Sequence, residues 1–336
     1  MTDPLGDSPA TEPDPATLRR AASGDAFQDH VRAARTEFEH QVAQKRAEFE
    51  EANARITQRT GRNLIPAILI GVGLGAAVLG SLLFFKVIFV VFAMAAIGLG
   101  IFELCRALQV ANRRLDVVPH VVLGLALIVT GYFSDELVLW VLLFVDIAVI
   151  VVWRLVAQMS AQDGRRYGDV LSDLLIGSLV QLYLPFFGAL AMILLRQDGG
   201  EWWVLGFIIV AVVCDVGAYA AGLTFGKHPM APRISPKKTW EGFAGAVAAA
   251  LVSGVLVAWL MLGLPWWSGL IIGVVIVITA TAGDLAESML KRDLGIKDMS
   301  SWLPGHGGVL DRLDSMLPTA AAMLALFYLL SPLGVA

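Results

Sequence analysis

Between residues 284 and 314 the sequence reads DLAESMLKRDLGIKDMSSWLPGHGGVLDRLD. Asp284, Asp311 and Asp314 supply carboxylates, Lys291, Arg292 and Lys297 supply cations, and a GHGG turn occupies 305–308. Asp284, Glu287 and Lys291 follow at helical spacing, so a helix puts them on one face with Ser288 and Arg292 beside them. Asp311 and Asp314 are likewise one turn apart, where an apolar stretch begins. Carboxylate oxygens on two facing helix ends are hard ligands suited to Mg²⁺. Gly307 and Gly308 lead into a helix N-terminus, where backbone N–H groups and the helix dipole favour an anion. Together these groups describe metal-assisted phosphoryl chemistry, with Lys and Arg neutralising charge on phosphoryl oxygens and on the leaving group. A self-paired structural ion network is the competing reading, but the stretch carries more charge than a connection between membrane helices needs. Pro318 frees the carbonyl of Asp314 from its helix bond, which suits a distorted, ligand-facing turn.

A second group lies upstream. Asp215 stands near the end of an apolar segment, with Gly217 and Gly222 allowing close backbone approach. The next loop, FGKHPMAPRISPKKTWEG, carries Lys227, Arg233, Lys237 and Lys238, the hydroxyls of Ser235 and Thr239, and a stiffening Pro236. A helix is expected to begin near Thr239 and to add its dipole to the cationic field. That arrangement suits a polyphosphate, whereas the plainer reading is a basic loop gripping lipid headgroups.

These groups need a membrane scaffold. Hydrophobic residues make up 57% of the 336 and charged ones only 16%, against about 45–50% and about 25% in soluble domains. The fold class expected is therefore all-α, a polytopic integral membrane protein. A span needs about 20 mostly apolar residues, and about nine windows qualify: 64–85, 87–108, 117–133, 137–156, 170–195, 202–223, 242–262, 266–282 and 309–330. Lys and Arg fall in alternate connections: before the first span, at Arg113 and Arg114, at Arg165 and Arg166, in the 227–238 loop, and in the 291–297 stretch. The positive-inside rule then places the N-terminus and the charged cluster in the cytoplasm, in a multi-pass protein of the cell (inner) membrane.

Residues 1–62 form a polar cytoplasmic tail, disordered at first by composition and then rich in helix formers, before a transmembrane domain at 63–336. No cleavable signal peptide is visible in it. Within the spans, Glu103 is expected to pair with Arg106 one turn on. Asp146, mid-span, is either an inter-helix hydrogen-bonder or a group facing a wet cavity. Cys105 and Cys214 read as small buried hydrophobes. No basic, aromatic-interleaved surface remains for nucleic acid.

Ser288-Met-Leu-Lys291-Arg292, Lys297-Asp298 and Leu303-Pro304-Gly305-His306-Gly307-Gly308-Val-Leu-Asp311-Arg312-Leu-Asp314 resemble the signature of the phosphatidate cytidylyltransferases, or CDP-diglyceride synthases. Asp215-Val-Gly217-Ala-Tyr219 and Ser235-Pro236-Lys237-Lys238-Thr239-Trp240-Glu241-Gly242 resemble the same family, although Cys214 stands where a serine is expected. The resemblance covers roughly the last 270 residues and leaves the tail unexplained. It implies Mg²⁺-dependent transfer of a cytidylyl group from CTP to phosphatidic acid, giving CDP-diacylglycerol and pyrophosphate. It further implies that Asp284 and Asp311 ligate metal, with Asp314 and Asp215 completing the shell. Lys291, Arg292, Lys297, Lys237 and Lys238 would hold phosphates alongside Ser235, Ser288, Gly307 and Gly308, and His306 and Arg312 would stabilise pyrophosphate. The partners expected are CTP, phosphatidic acid and the bilayer, with a second cation and a homodimer left open.

A transporter for an anionic substrate is the rival of another class. No pair of similarly interrupted spans marks two inverted halves, and the charges gather at one face and not at the midplane. A relative acting on another lipid phosphate is the rival among enzymes. Because the chemistry lies in the last two thirds of the chain, deleting residues 1–54 is expected to leave turnover largely intact. Turnover of the truncated chain in detergent checks this.

Overall fold

The computed structural model describes residues 37, 44–45, 64–161, 164–296, 299–300 and 307–334. Lys297, His306 and, apart from residues 37 and 44–45, the expected tail helix lie outside the described residues. The chain divides into two units, Met1–Ile65 and Pro66–Ala336, and the charged cluster belongs to the second.

Helices α1 (Leu64–Phe84) and α2 (Lys86–Val110) are separated at Phe85, whose extended backbone breaks the run beside the lone charge of Lys86. Then follow α3 (Val117–Phe133), α4 (Glu136–Ser160) and α5 (Tyr167–Gln181). A π turn at Leu182–Phe186 carries α5 into α6 (Phe187–Arg196). Pro185 sits inside that turn, where its missing N–H would otherwise break an α-helical ladder. Next come α7 (Gly200–Phe225), strands β1 (Pro229–Ala231) and β2 (Ser235–Thr239), and α8 (Trp240–Leu256). The last elements are α9 (Trp266–Asp293), the short α10 (Leu310–Leu313) and α11 (Met316–Leu330).

Seven of the described helices, counting α5 with α6 and α10 with α11 as single runs, are long and apolar enough to cross a membrane. Two shorter apolar helices, Gly71–Phe84 and Val117–Phe133, accompany them. The chain is thus an all-α, multi-pass membrane protein. One local departure is the two-stranded antiparallel ribbon β1–β2, which pairs Pro229 with Thr239 and Ala231 with Ser235. Its sequence explains it: His228, Ala231 and Ser235 each precede a proline, and such residues are pushed towards extended backbone. Helix α8 then starts where expected, with Thr239 accepting the Gly242 N–H at 3.1 Å.

Packing between α7 and α8 depends on small residues. A Cβ added at Gly217 would lie 2.9 Å from the Gly245 carbonyl oxygen, and one at Gly245 would lie 2.7 Å from that of Gly217. Backbones this close gain dispersion contact that no bulkier pair allows, the usual route to helix association in lipid.

Polar clasps secure both ends of the bundle. At the end where α2, α4 and α7 begin, Lys86 pairs with Glu201 at 2.7 Å, Arg196 donates to the Ser134 carbonyl, and Tyr328 donates to Glu136. Nearer the opposite end, the fully buried carboxylate of Asp173 accepts from Arg154 at 2.9 Å and from Arg165 at 2.5 Å. The pair Arg154–Asp173 sets an antiparallel register between α4 and α5. One turn on, a Cβ at Gly177 would lie 3.3 Å from Ile150, and a further turn sets Asp146 opposite Gln181. Asp146 is fully buried, and among the described residues neither of its oxygens, nor Gln181 Oε1, has a hydrogen-bond partner. Both cysteines are free and buried. Replacing Asp173 with Ala strands the Arg154 guanidinium in the interior without its carboxylate. The expected cost is about 3–5 kcal/mol, read as a lowered thermal unfolding midpoint in detergent.

Candidate active site

Four elements bring the charged groups together. Strand β2 presents Lys238, whose ammonium pairs with Asp284 on α9. Side chains alternate along a strand, so the neighbouring Lys237 projects from the other face and is exposed. On α9, Ser288 donates to Asp284 at 3.3 Å, and Lys291 reaches across to Asp311 on α10 at 2.8 Å. The helical spacing of Asp284, Glu287 and Lys291 therefore places them on one face, as expected. Glu287 is buried and makes a looser ion pair with Lys291 at 3.3 Å.

Asp311 also closes the loop that precedes it. Its Oδ2 accepts the Gly308 N–H at 2.7 Å and the Met299 N–H at 3.2 Å, so both described flanks of the loop converge on one carboxylate. Asp314 is buried at the break between α10 and α11, where its Oδ1 accepts the Ser315 N–H at 2.7 Å. It feels the charges of Asp284 and Lys291. Asp215 on α7 is exposed, within electrostatic reach of Asp284, Asp314, Lys238 and Arg312. The two separate stretches read from the sequence thus meet at one end of the bundle.

Other expected residues are placed differently. Arg292 is exposed and donates to the carbonyls of Ile234 (3.1 Å) and Ile296 (3.4 Å), bracing the turn of the ribbon against the end of α9. Ser235 opens β2 in register with Ala231. The N–H of Gly308, expected to face a substrate anion, is directed to Asp311. Gly307 adopts a left-handed backbone, φ 80°, that favours glycine. Among the described residues no three carboxylate, imidazole or thiolate groups converge closely enough to hold a metal ion by themselves.

Two acidic residues were not assigned to the site from sequence. Glu241 accepts the Lys227 and His228 N–H groups at 3.1 and 3.2 Å and contacts the His228 ring at 2.5 Å, anchoring the ribbon to the start of α8. A carboxylate in the first turn of a helix was the available signal. Glu103 overturns its expected pairing. It accepts from the Ser300 hydroxyl at 2.5 Å and from the Val309 and Leu310 N–H groups at 3.1 and 2.9 Å. Arg106 instead reaches Gln109 at 3.5 Å and lies 5.4 Å from the centre of the Phe102 ring.

Comparison with known proteins matches this sequence to a catalytic family. The sequence model of the Cytidylyltransferase family matches residues 66–330. The phosphatidate cytidylyltransferase of Mycobacterium tuberculosis (strain ATCC 25618 / H37Rv) is 36% identical over 271 residues, covering 79% of this chain and 83% of that protein. That of Mycobacterium leprae (strain TN) is 36% identical over 290 residues, covering 82% and 90%. That of Brucella suis biovar 1 (strain 1330) is 43% identical over 148 residues, covering 44% and 54%. The matched region takes in α2 to α11, the ribbon and every described residue of the charged cluster. A membrane-embedded transferase of the nucleotidyltransferase class, with a place in phospholipid metabolism, this chain belongs to the phosphatidate cytidylyltransferase family.

Proposed function

We propose that the chain transfers the cytidylyl group of CTP to phosphatidic acid, giving CDP-diacylglycerol and pyrophosphate for phospholipid synthesis. The observation that carries this reading is the pair of lysine–carboxylate clasps, Lys238–Asp284 and Lys291–Asp311, set beside Asp314 at one end of a membrane bundle. The alternation of Lys and Arg among the connections supports assigning that end to the cytoplasm, where CTP is found.

The donor set suits a hard divalent cation, because Mg²⁺ is commonly held by one or two carboxylates plus substrate phosphates and not by an all-protein cage. Asp284, Asp311 and Asp314 would hold Mg²⁺, with Asp215 close by and a second cation left open. When bound, such an ion supplies charge neutralisation across the triphosphate. Lys238 and Lys291 then trade a carboxylate partner for a phosphate oxygen. Ser235 and Ser288 offer hydroxyl donors. By family resemblance Arg292, Lys237 and Lys297 would hold phosphates with Gly307 and Gly308, and Arg312 and His306 would stabilise the pyrophosphate as it leaves.

The phosphatidate phosphate is itself the nucleophile. One of its oxygens bonds to the α-phosphorus of CTP as the bond from that phosphorus to the bridging oxygen of pyrophosphate breaks. No protein nucleophile and no covalent enzyme intermediate are needed. The acyl chains keep the acceptor at the bilayer edge, so the reacting phosphates meet where the bundle ends.

With CTP labelled at the α-phosphate and phosphatidate in detergent, the label is expected to enter lipid and to stop entering it when divalent cations are chelated. Label remaining in water-soluble product, or transfer undiminished by chelation, would overturn the reading. Asp284→Asn and Asp311→Asn are expected to lower turnover by about 10²–10³, with gel-filtration profiles like that of the unaltered chain.

A further inference from the structure

We propose that Glu103 is a positioning residue of the active site, capping from a distance the helix that carries Asp311. The proposal rests on the reading of Asp284, Asp311 and Asp314 as divalent-cation ligands. The first N–H groups of any helix lack partners within it, and a side chain just before the helix ordinarily supplies one. At α10 that position is Val309, which has no polar side-chain atom. Glu103, on α2, takes over. One of its oxygens accepts from Val309 N–H and the Ser300 hydroxyl, and the other accepts from Leu310 N–H. The next N–H back, that of Gly308, goes to Asp311 itself.

Three successive backbone donors, at 308, 309 and 310, are thus held by two carboxylates, one of which is a proposed metal ligand. Glu103 is only 2% exposed, so its hydrogen bonds are not shared with bulk water. The packing is close at 308, where a Cβ would lie 2.7 Å from Glu103 Oε2 and 3.1 Å from the Ser300 backbone nitrogen, so a larger residue there must push the carboxylate aside. Hydrogen bonds to an ionised, buried acceptor are among the stronger ones a protein makes. They fix where α10 starts, and so the direction of Asp311 and the place of the break at Asp314. Glu103 touches neither expected substrate. It acts through Asp311, as the outer partners of metal ligands do.

The test uses the full chain in detergent, with Mn²⁺ as the probe. Glu103→Gln keeps the shape but replaces one acceptor oxygen with a donor and removes the charge. Mn²⁺ affinity, read by electron paramagnetic resonance on monodisperse protein, is expected to fall about tenfold or more. The Mg²⁺ concentration for half-maximal turnover should rise in proportion. Gly308→Ala, which pushes on the same carboxylate, is expected to shift both quantities the same way, and it carries the test if the first variant fails to fold. Arg106→Ala is expected to change neither. Unaltered Mn²⁺ affinity and Mg²⁺ dependence in a folded variant at either position would overturn the proposal, however much its thermal stability has fallen. A wild-type chain that turns over without divalent cations would instead remove the metal reading on which the proposal stands.

Discussion

An ionised group at the edge of a bilayer must be paid for by an opposite charge, a dipole or water. In this chain the requirement is met mainly by pairing at one end of the bundle. Lys238 takes Asp284, Lys291 takes Asp311 and Glu287, and Glu103 takes the start of α10. All but Lys291–Glu287, which lie one turn apart on α9, join residues from different elements, so pairing of charges orders the active-site end. Lipid tails are as apolar as the helix surfaces, and they give helices little hydrophobic reason to associate.

The same pairs let the proposed catalytic site and a structural clasp share atoms. Asp311 uses one oxygen for Lys291 and the other for two loop N–H groups. Ribbon β1–β2 is tied at three points, by Glu241 at its base, by Arg292 at its turn and by Lys238 on its inner face. Cations held this way have a defined address. For the nucleotide proposed above, groups whose positions are already settled would lower the ordering cost of binding.

Much of this was legible in the sequence, because local rules govern much of it. The helical spacing of Asp284, Glu287, Ser288 and Lys291, the start of α8 at Thr239 and the interruption before Lys86 all follow from neighbours in the chain. So does the length of the apolar runs. What stayed hidden depends on partners far apart. Glu103 has Arg106 one turn away, and nothing in the local pattern reveals that its carboxylate caps a helix some two hundred residues later. Lys237 and Lys238 look equivalent until a strand, unforeseen in a stretch that reads as loop, sends them to opposite faces. Gly308 shows the same dependence on distant partners: its N–H, read as a donor to an anion, goes in this structure to Asp311, and Glu103 packs against its Cα.

The far end of the bundle is fastened by one more lysine–carboxylate pair and two hydrogen bonds. Lys86 to Glu201, Arg196 to Ser134 and Tyr328 to Glu136 tie α2 to α7, α6 to the α3–α4 junction and α11 to α4. Every one of these sits at the end remote from Asp284. With Lys86–Glu201 at this end and Lys238–Asp284 and Lys291–Asp311 at the other, both rims are closed by polar ties between residues distant in sequence.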